Sequence, residues 1–293
     1  MAQVAFIGLG RMGHGMAGRY LDAGFKLAIW NRSKAKAEDL IARGARWATS
    51  PEDAAIDADA VVTMVADDQA SRAVWLTNDG AAATMKAGTI AIECSTVSYR
   101  HALDLARELR GRGLTYIDSP VTGLPDAAAA GKLTLLVGAD PADLEKARPF
   151  LVPLSTTIRH FGAVGSGTVY KLINNLMGAI QIAGIAEGLA IAEQAGLDMK
   201  LVLEAIETGV AASPQVIRHS KRMVARNFSG ATFTAALRQK DAAYAVALAE
   251  SLLSAAPIMG RAAVAAYDRA KAHGPDDDEG KMIEIVSRPK PVK

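Results

Sequence analysis

The sequence predicts an α/β chain in two parts: a doubly wound N-terminal domain, residues 1–163, and an all-α C-terminal domain, residues 164–293. Three observations carry this. Short apolar runs alternate with helical segments as far as residue 151, and only helical periodicity recurs after Ser166. A length of 293 residues, 50% hydrophobic, suffices for two cores.

The first run, Val-Ala-Phe-Ile at residues 4–7, reads as a buried strand, followed by a helix over 12–23 that Gly24 closes and a strand over 26–30. Strands over 60–65, 89–94, 114–118 and 133–137 alternate with helices over 69–75, 99–112 and 141–151, the rhythm of a parallel sheet; Asp140 is the expected cap of the last helix. The pattern breaks near 161–167. Helical periodicity then covers 169–195, 199–209, 214–225, 234–253 and 258–273. The first of these contains Gly178, Gly184 and Gly188, which lower helix propensity unless they admit close packing, so burial on several sides is expected. Broadly apolar, alanine-rich helices in a small domain leave more apolar surface than one monomer covers, which predicts a homodimer or homotetramer.

The net charge of +2, from 33 basic and 31 acidic residues, offers no footprint for nucleic acid or an anionic membrane. One cysteine, Cys94, excludes an internal disulfide framework and a multi-cysteine metal site, and the five histidines show no ligand spacing; no metal is expected. No basic segment followed by a hydrophobic signal opens the chain, so a cytoplasmic location is expected. The apolar stretch 176–192 is interrupted by Gln181 and Glu187 and reads as a buried helix rather than a membrane span. The proline-broken basic segment 288–293 reads as a loose tail.

Between first strand and first helix, Gly8-Leu9-Gly10-Arg11-Met12-Gly13 spells G-x-G-x-x-G. In a Rossmann-type unit the three glycines give a tight turn, backbone approach to a pyrophosphate and close helix–strand packing, while the helix N-terminus offers N–H groups to the phosphates. The second strand ends in Trp30-Asn31-Arg32-Ser33-Lys34, without the carboxylate that would bind an NAD ribose. Arg32 can pair a 2′-phosphate bidentately and Asn31 and Ser33 can add neutral donors, which predicts NADP over NAD. His14, just past the loop, reads as a solvent-facing helix residue.

Three more segments occur in order: Asp118-Ser119-Pro120-Val121-Thr122-Gly123, the run Gly162 to Asn175 containing Lys171, and Lys240-Asp241. With the glycine loop they resemble the β-hydroxyacid dehydrogenase family, which includes 3-hydroxyisobutyrate dehydrogenases and the tartronate, glyoxylate and succinic semialdehyde reductases. The resemblance covers essentially the whole chain. It implies reversible hydride transfer between NADP(H), or NAD(H), and a small β-hydroxy acid or its semialdehyde. Lys171 would be the general acid/base, Asn175 would position the substrate, and the turn at Thr122 and Gly123 would bind its carboxylate. Thr96 would lie at the nicotinamide side, Met64 and Val65 near the adenosine half, and Lys240 would close over the cofactor.

The residues themselves support a reaction centre. Lys171 and Asn175 are four apart on one helix, and an ammonium beside a carbonyl oxygen can polarise it and donate a proton. A lone helical lysine is ordinarily a solvated charge; this one follows a glycine-rich turn in an apolar setting. Leu124 and Pro125 depart from the family pattern, which has a second glycine there, and point to a smaller, differently oriented or more apolar substrate. Phe233 could cover the cleft or fill the core, and Arg218 and Arg222 look no different from surface charges. Imine reduction is an alternative on fold and cofactor loop, against which Lys171 argues; a non-catalytic dinucleotide-binding protein is another, against which Lys171, Asn175, Thr122 and Lys240 argue together.

Overall fold

The computed structural model describes residues 1–230 and 233–287, so the expected loose tail lies outside the described residues. The chain divides into two compact units, Met1–Lys171 and Leu172–Lys293, a division that falls inside a helix rather than ahead of it.

The first unit runs β1 (Gln3–Ile7), α1 (Gly13–Asp22), β2 (Lys26–Trp30), α2 (Glu38–Ala42), β3 (Arg46–Trp47), α3 (Pro51–Ala55), β4 (Ala60–Thr63), α4 (Asp68–Leu76), β5 (Ile90–Glu93) and α5 (Tyr99–Gly111). It continues through β6 (Thr115–Asp118), β7 (Val121–Thr122), α6 (Pro125–Ala129), β8 (Leu133–Gly138), α7 (Pro141–Leu151) and β9 (Ser155–Gly162) into α8 (Ser166–Gln194). The sheet order is β3-β2-β1-β4-β5-β6-β8-β7, with β9 on β8. From β3 to β6 every pairing is parallel. Alternate residues enter cores on opposite faces, Val4 and Phe6 in one, Ala5 and Ile7 in the other, which is why the strands read as unbroken apolar runs.

The sheet is not parallel throughout, as the strand rhythm had suggested. β8 runs against both β6 and β7, because the link from β7 to β8, mostly α6, is too short for a parallel crossover. β9 gave no sequence signal since none of its residues is buried; the ladder to β8 specifies it. Asp140 stands at the N-cap of α7 but makes no cap bond; Arg110 takes its carboxylate at 2.8 Å.

The second unit holds the rest of α8, then α9 (Met199–Thr208), α10 (Pro214–Val224), α11 (Ala235–Leu252), α12 (Ile258–His273) and α13 (Met282–Val286). Ala179, Ile182, Ala186 and Leu189 of α8 pack with Met223, Ala242, Tyr267 and Ile283. α8 is long and apolar enough to cross a membrane by length and composition, and 44% of its most apolar window is buried in the protein. Contrary to the expectation of close packing at all three glycines, only Gly178 has near neighbours; Gly184 and Gly188 face open space. Ile173, Met177 and Ile191 are exposed, so one side of the helix is uncovered.

Candidate active site

The glycine loop is shaped as its spacing requires. Gly8 adopts φ +100°, and a Cβ there would sit 2.3 Å from the Met64 carbonyl oxygen, so the turn is closed to any side chain. At Gly13 a Cβ would lie 2.0 Å from the Gly8 oxygen, which lets α1 start directly against the loop. Gly10 is exposed with nothing within 4 Å, the open backbone that a pyrophosphate needs. Leu9 donates its N–H to Asn31 Oδ1 at 3.0 Å, and Asn31 Nδ2 donates to the Ser33 carbonyl at 2.9 Å. Asn31 therefore braces the loop against the end of β2 in addition to any ligand role. Arg11, Arg32 and Ser33 are exposed, Met12 is half-buried against the core, and neither arginine makes an ion pair among the described residues. His14 pairs with Asp39 at 2.8 Å in solvent, as expected, and that hydrogen bond lowers the Asp39 carboxyl.

Sequence reasoning missed Glu93. It ends β5 fully buried, and its carboxylate accepts from Thr63 Oγ1 (2.7 Å), the Ser95 N–H (2.9 Å), Ser71 Oγ (2.5 Å) and Trp75 Nε1 (3.0 Å). Val65 donates its N–H to Ser95 Oγ at 2.8 Å. The segments after β4 and β5, holding Met64, Val65 and Thr96, are thus tied to one carboxylate. Its partners are 2 to 30 residues away, so no local spacing marks it.

Asp118 does the same for the turn that follows β6. At the end of β6 it is buried and accepts from the Gly165 N–H (2.6 Å), the Thr168 N–H (2.7 Å) and Thr168 Oγ1 (2.9 Å), capping the start of α8 with a negative charge. Burial pushes its carboxyl up, against the pull of these donors. Gly138 and Gly167 leave the room: a Cβ would meet Asp118 Oδ1 at 2.4 Å from the first and the Leu136 oxygen at 2.0 Å from the second. One turn further along α8, the half-buried Lys171 donates from Nζ to the Val121 carbonyl at 2.8 Å, immediately before Thr122 and Gly123. Gly123 has φ +137° and is exposed, Thr122 is half-buried, and Leu124 is 45% exposed beside them. An ammonium and a turn able to bind an anion thus adjoin within the first unit, fifty residues apart in sequence.

In the second unit Asn175, one turn beyond Lys171 on α8, is 5% exposed and donates from Nδ2 to Asp241 Oδ2 at 2.6 Å; Lys240 Nζ lies 2.9 Å from Asp241 Oδ1. Arg218 and Arg222 approach Glu279 and Asp278, at 3.8 and 3.0 Å, rather than standing as isolated surface charges. Arg238 bonds Glu279 at 2.6 Å and lies over the ring of the half-buried Phe233. Among the described residues no cluster of histidine, cysteine and carboxylate groups could hold a metal ion.

Two family models cover the chain. One describes the NAD binding domain of 6-phosphogluconate dehydrogenase and matches residues 3–162; the other, NAD-binding of NADP-dependent 3-hydroxyisobutyrate dehydrogenase, matches residues 165–286. An NAD-dependent L-serine dehydrogenase of Pseudomonas aeruginosa is 36% identical over 91% of this chain and 91% of its own length. Among solved structures, the Mycobacterium tuberculosis 3-hydroxyisobutyrate dehydrogenase with L-serine superposes with a TM-score of 0.87 at 29% identity, covering 98% of this chain and 100% of that one. Psf3 in complex with NADP+ and 2-OPP superposes with a TM-score of 0.85 at 26% identity, covering 97% and 100%.

Proposed function

This chain belongs to the β-hydroxyacid dehydrogenase family, NAD(P)-dependent oxidoreductases acting on hydroxyl groups, and on that premise we propose that it interconverts a small β-hydroxy acid and its semialdehyde, with Lys171 as general acid/base and NADP(H) preferred. The observation that carries the reading is the Lys171 Nζ contact with the Val121 carbonyl beside Thr122 and Gly123. The glycine loop would hold the dinucleotide, with the open backbone at Gly10 toward the pyrophosphate and Arg32 and Ser33 toward a 2′-phosphate. By the family resemblance Met64, Val65, Thr96 and Lys240 would add further contacts. When bound, the nicotinamide supplies or takes up the hydride.

Lys171 acts on the oxygen of the reacting carbon. An ammonium has three N–H donors, so it can bond that oxygen while another of its hydrogens goes to the Val121 carbonyl. In reduction it polarises the carbonyl and gives up a proton to the nascent alkoxide; in oxidation the neutral amine takes the alcohol proton. The Thr122 hydroxyl and the Gly123 N–H bind the carboxylate, and Asn175 orients the acid. Leu124, exposed where the family keeps glycine, favours substrates with an apolar body over heavily hydroxylated ones.

The test is initial-rate kinetics with NADP(H) and NAD(H) on 3-hydroxyisobutyrate, L-serine, glyoxylate, succinic semialdehyde and tartronate semialdehyde. Turnover of at least one acid, with kcat/KM higher for the phosphorylated cofactor and that preference reduced in Arg32→Ser, is expected. Equal or better use of NAD(H) overturns the cofactor assignment, and silence on every acid overturns the substrate class. The uncovered side of α8, with Ile173, Met177 and Ile191, further supports a homodimer or homotetramer, which light scattering checks.

A further inference from the structure

We propose that Asp241 is the positioning residue for Asn175, fixing the direction in which its side-chain amide meets the substrate. This rests on the reading of Asn175 as a substrate contact. Asp241 is 1% exposed on α11, and a carboxylate is held in such a place by specific donors or not at all. Asn175 Nδ2 supplies one at 2.6 Å. Lys240 Nζ, 2.9 Å from the other oxygen, is within ion-pair reach but outside hydrogen-bonding geometry.

An ionised carboxylate only accepts, so it selects the orientation of the amide: Nδ2 must face Asp241, and Oδ1 must turn away. Oδ1 then accepts from Asn174 Nδ2 at 3.1 Å. One Nδ2 hydrogen is given to Asp241 and one Oδ1 lone pair to Asn174, which leaves a second Nδ2 hydrogen and a second Oδ1 lone pair, both fixed in direction. A carboxylate or carbonyl oxygen suits the hydrogen, and a hydroxyl of the substrate suits the lone pair.

The backbone of Asn175 is held from the same helix. Arg238, one turn before Asp241 on α11, donates from Nη1 to the Asn175 carbonyl at 3.1 Å. Gly178 admits that guanidinium, since a Cβ there would lie 3.0 Å from Nη1. Asn175 is thus gripped at its main chain and at its amide by two residues of α11, and of these two the Asp241 contact acts on the group that meets substrate.

A double-mutant cycle tests this, using Asp241→Ala, Asn175→Ala and the pair, with KM, kcat, NADPH affinity and thermal melting measured for each. Asp241→Ala in the otherwise native enzyme should raise KM for the acid about tenfold, the effect of one lost hydrogen bond to a charged group, with NADPH affinity held within twofold. In the Asn175→Ala background the same substitution should change KM less than twofold. Asp241→Asn, which keeps an acceptor oxygen and the side-chain shape, should fall between native and alanine variants and serves where Asp241→Ala does not fold. An equal KM increase in both backgrounds, or lowered melting with KM unchanged, overturns the inference while leaving Asn175 as a substrate contact. Native KM and kcat in Asn175→Ala itself overturn both.

Discussion

Two alanine substitutions in the glycine loop should separate cofactor binding from folding. In Gly13→Ala the new Cβ would lie 2.0 Å from the Gly8 oxygen and 3.2 Å from Phe6 Cε1. The clash with Gly8 is with backbone, so α1 must retreat by about 1 Å, an overpacking of about 1–3 kcal/mol, or roughly 3–10 °C in Tm. Gly10→Ala meets nothing within 4 Å and Gly10 has no left-handed φ, so its stability should be unchanged or up by about 0.4–1 kcal/mol through the unfolded chain. The methyl nevertheless occupies the surface assigned to the pyrophosphate, and NADPH affinity should fall at least tenfold, about 1.4 kcal/mol. Fluorescence titration of NADPH and thermal melting read the two effects separately. The loop is not the phosphate cradle if Gly10→Ala binds NADPH as tightly as the native protein.

Glu93→Gln turns an NH2 group toward a set of donors and should destabilise the protein by about 2–3 kcal/mol in urea, with weaker NADPH binding because the segments after β4 and β5 lose their shared anchor; native affinity and stability would contradict this. The second unit should carry an acid transition. Burial alone would push the Glu279 carboxyl up, but the Arg238 charge and hydrogen bond, with His219 close beside it, pull it down to about 2. A depressed carboxyl gives stability that is present above its unfolded value, about 4.3, and lost as pH falls through about 2. Urea midpoints should therefore drop over that window and drop less in Glu279→Gln, which at pH 7 costs about 3–5 kcal/mol by leaving Arg238 buried without its partner. An identical acid slope in native and variant proteins would remove Glu279 as the cause.

What the sequence reveals and what it hides divide along physical lines. β1, α1 and β2 are legible because burial on both faces writes continuous apolar runs and because a turn closed to side chains accepts only glycine at Gly8 and Gly13. The helices of the second unit are legible from periodicity. β9 is not, since its residues are held by a ladder and none is fully buried. Lys171 is visible through its glycine-rich approach and the family resemblance, whereas its bond to Val121 spans fifty residues and leaves no local pattern. Glu93 is hidden for the same reason: a buried carboxylate is defined by donors brought from elsewhere in the fold, and Asp118 and Asp241 stand out only as members of their motifs, without their partners. Gly184 and Gly188 show the converse, small residues that suggested close packing yet face open space.

The most direct measurement is single-turnover oxidation of NADPH by stopped flow with the preferred semialdehyde, comparing native protein with Lys171→Met. A hydride-transfer rate lower by about 10²–10⁴-fold, with NADPH affinity within twofold of native, is the outcome expected if Lys171 supplies the proton. A rate within a few-fold of native at undiminished cofactor binding would place the proton donor elsewhere.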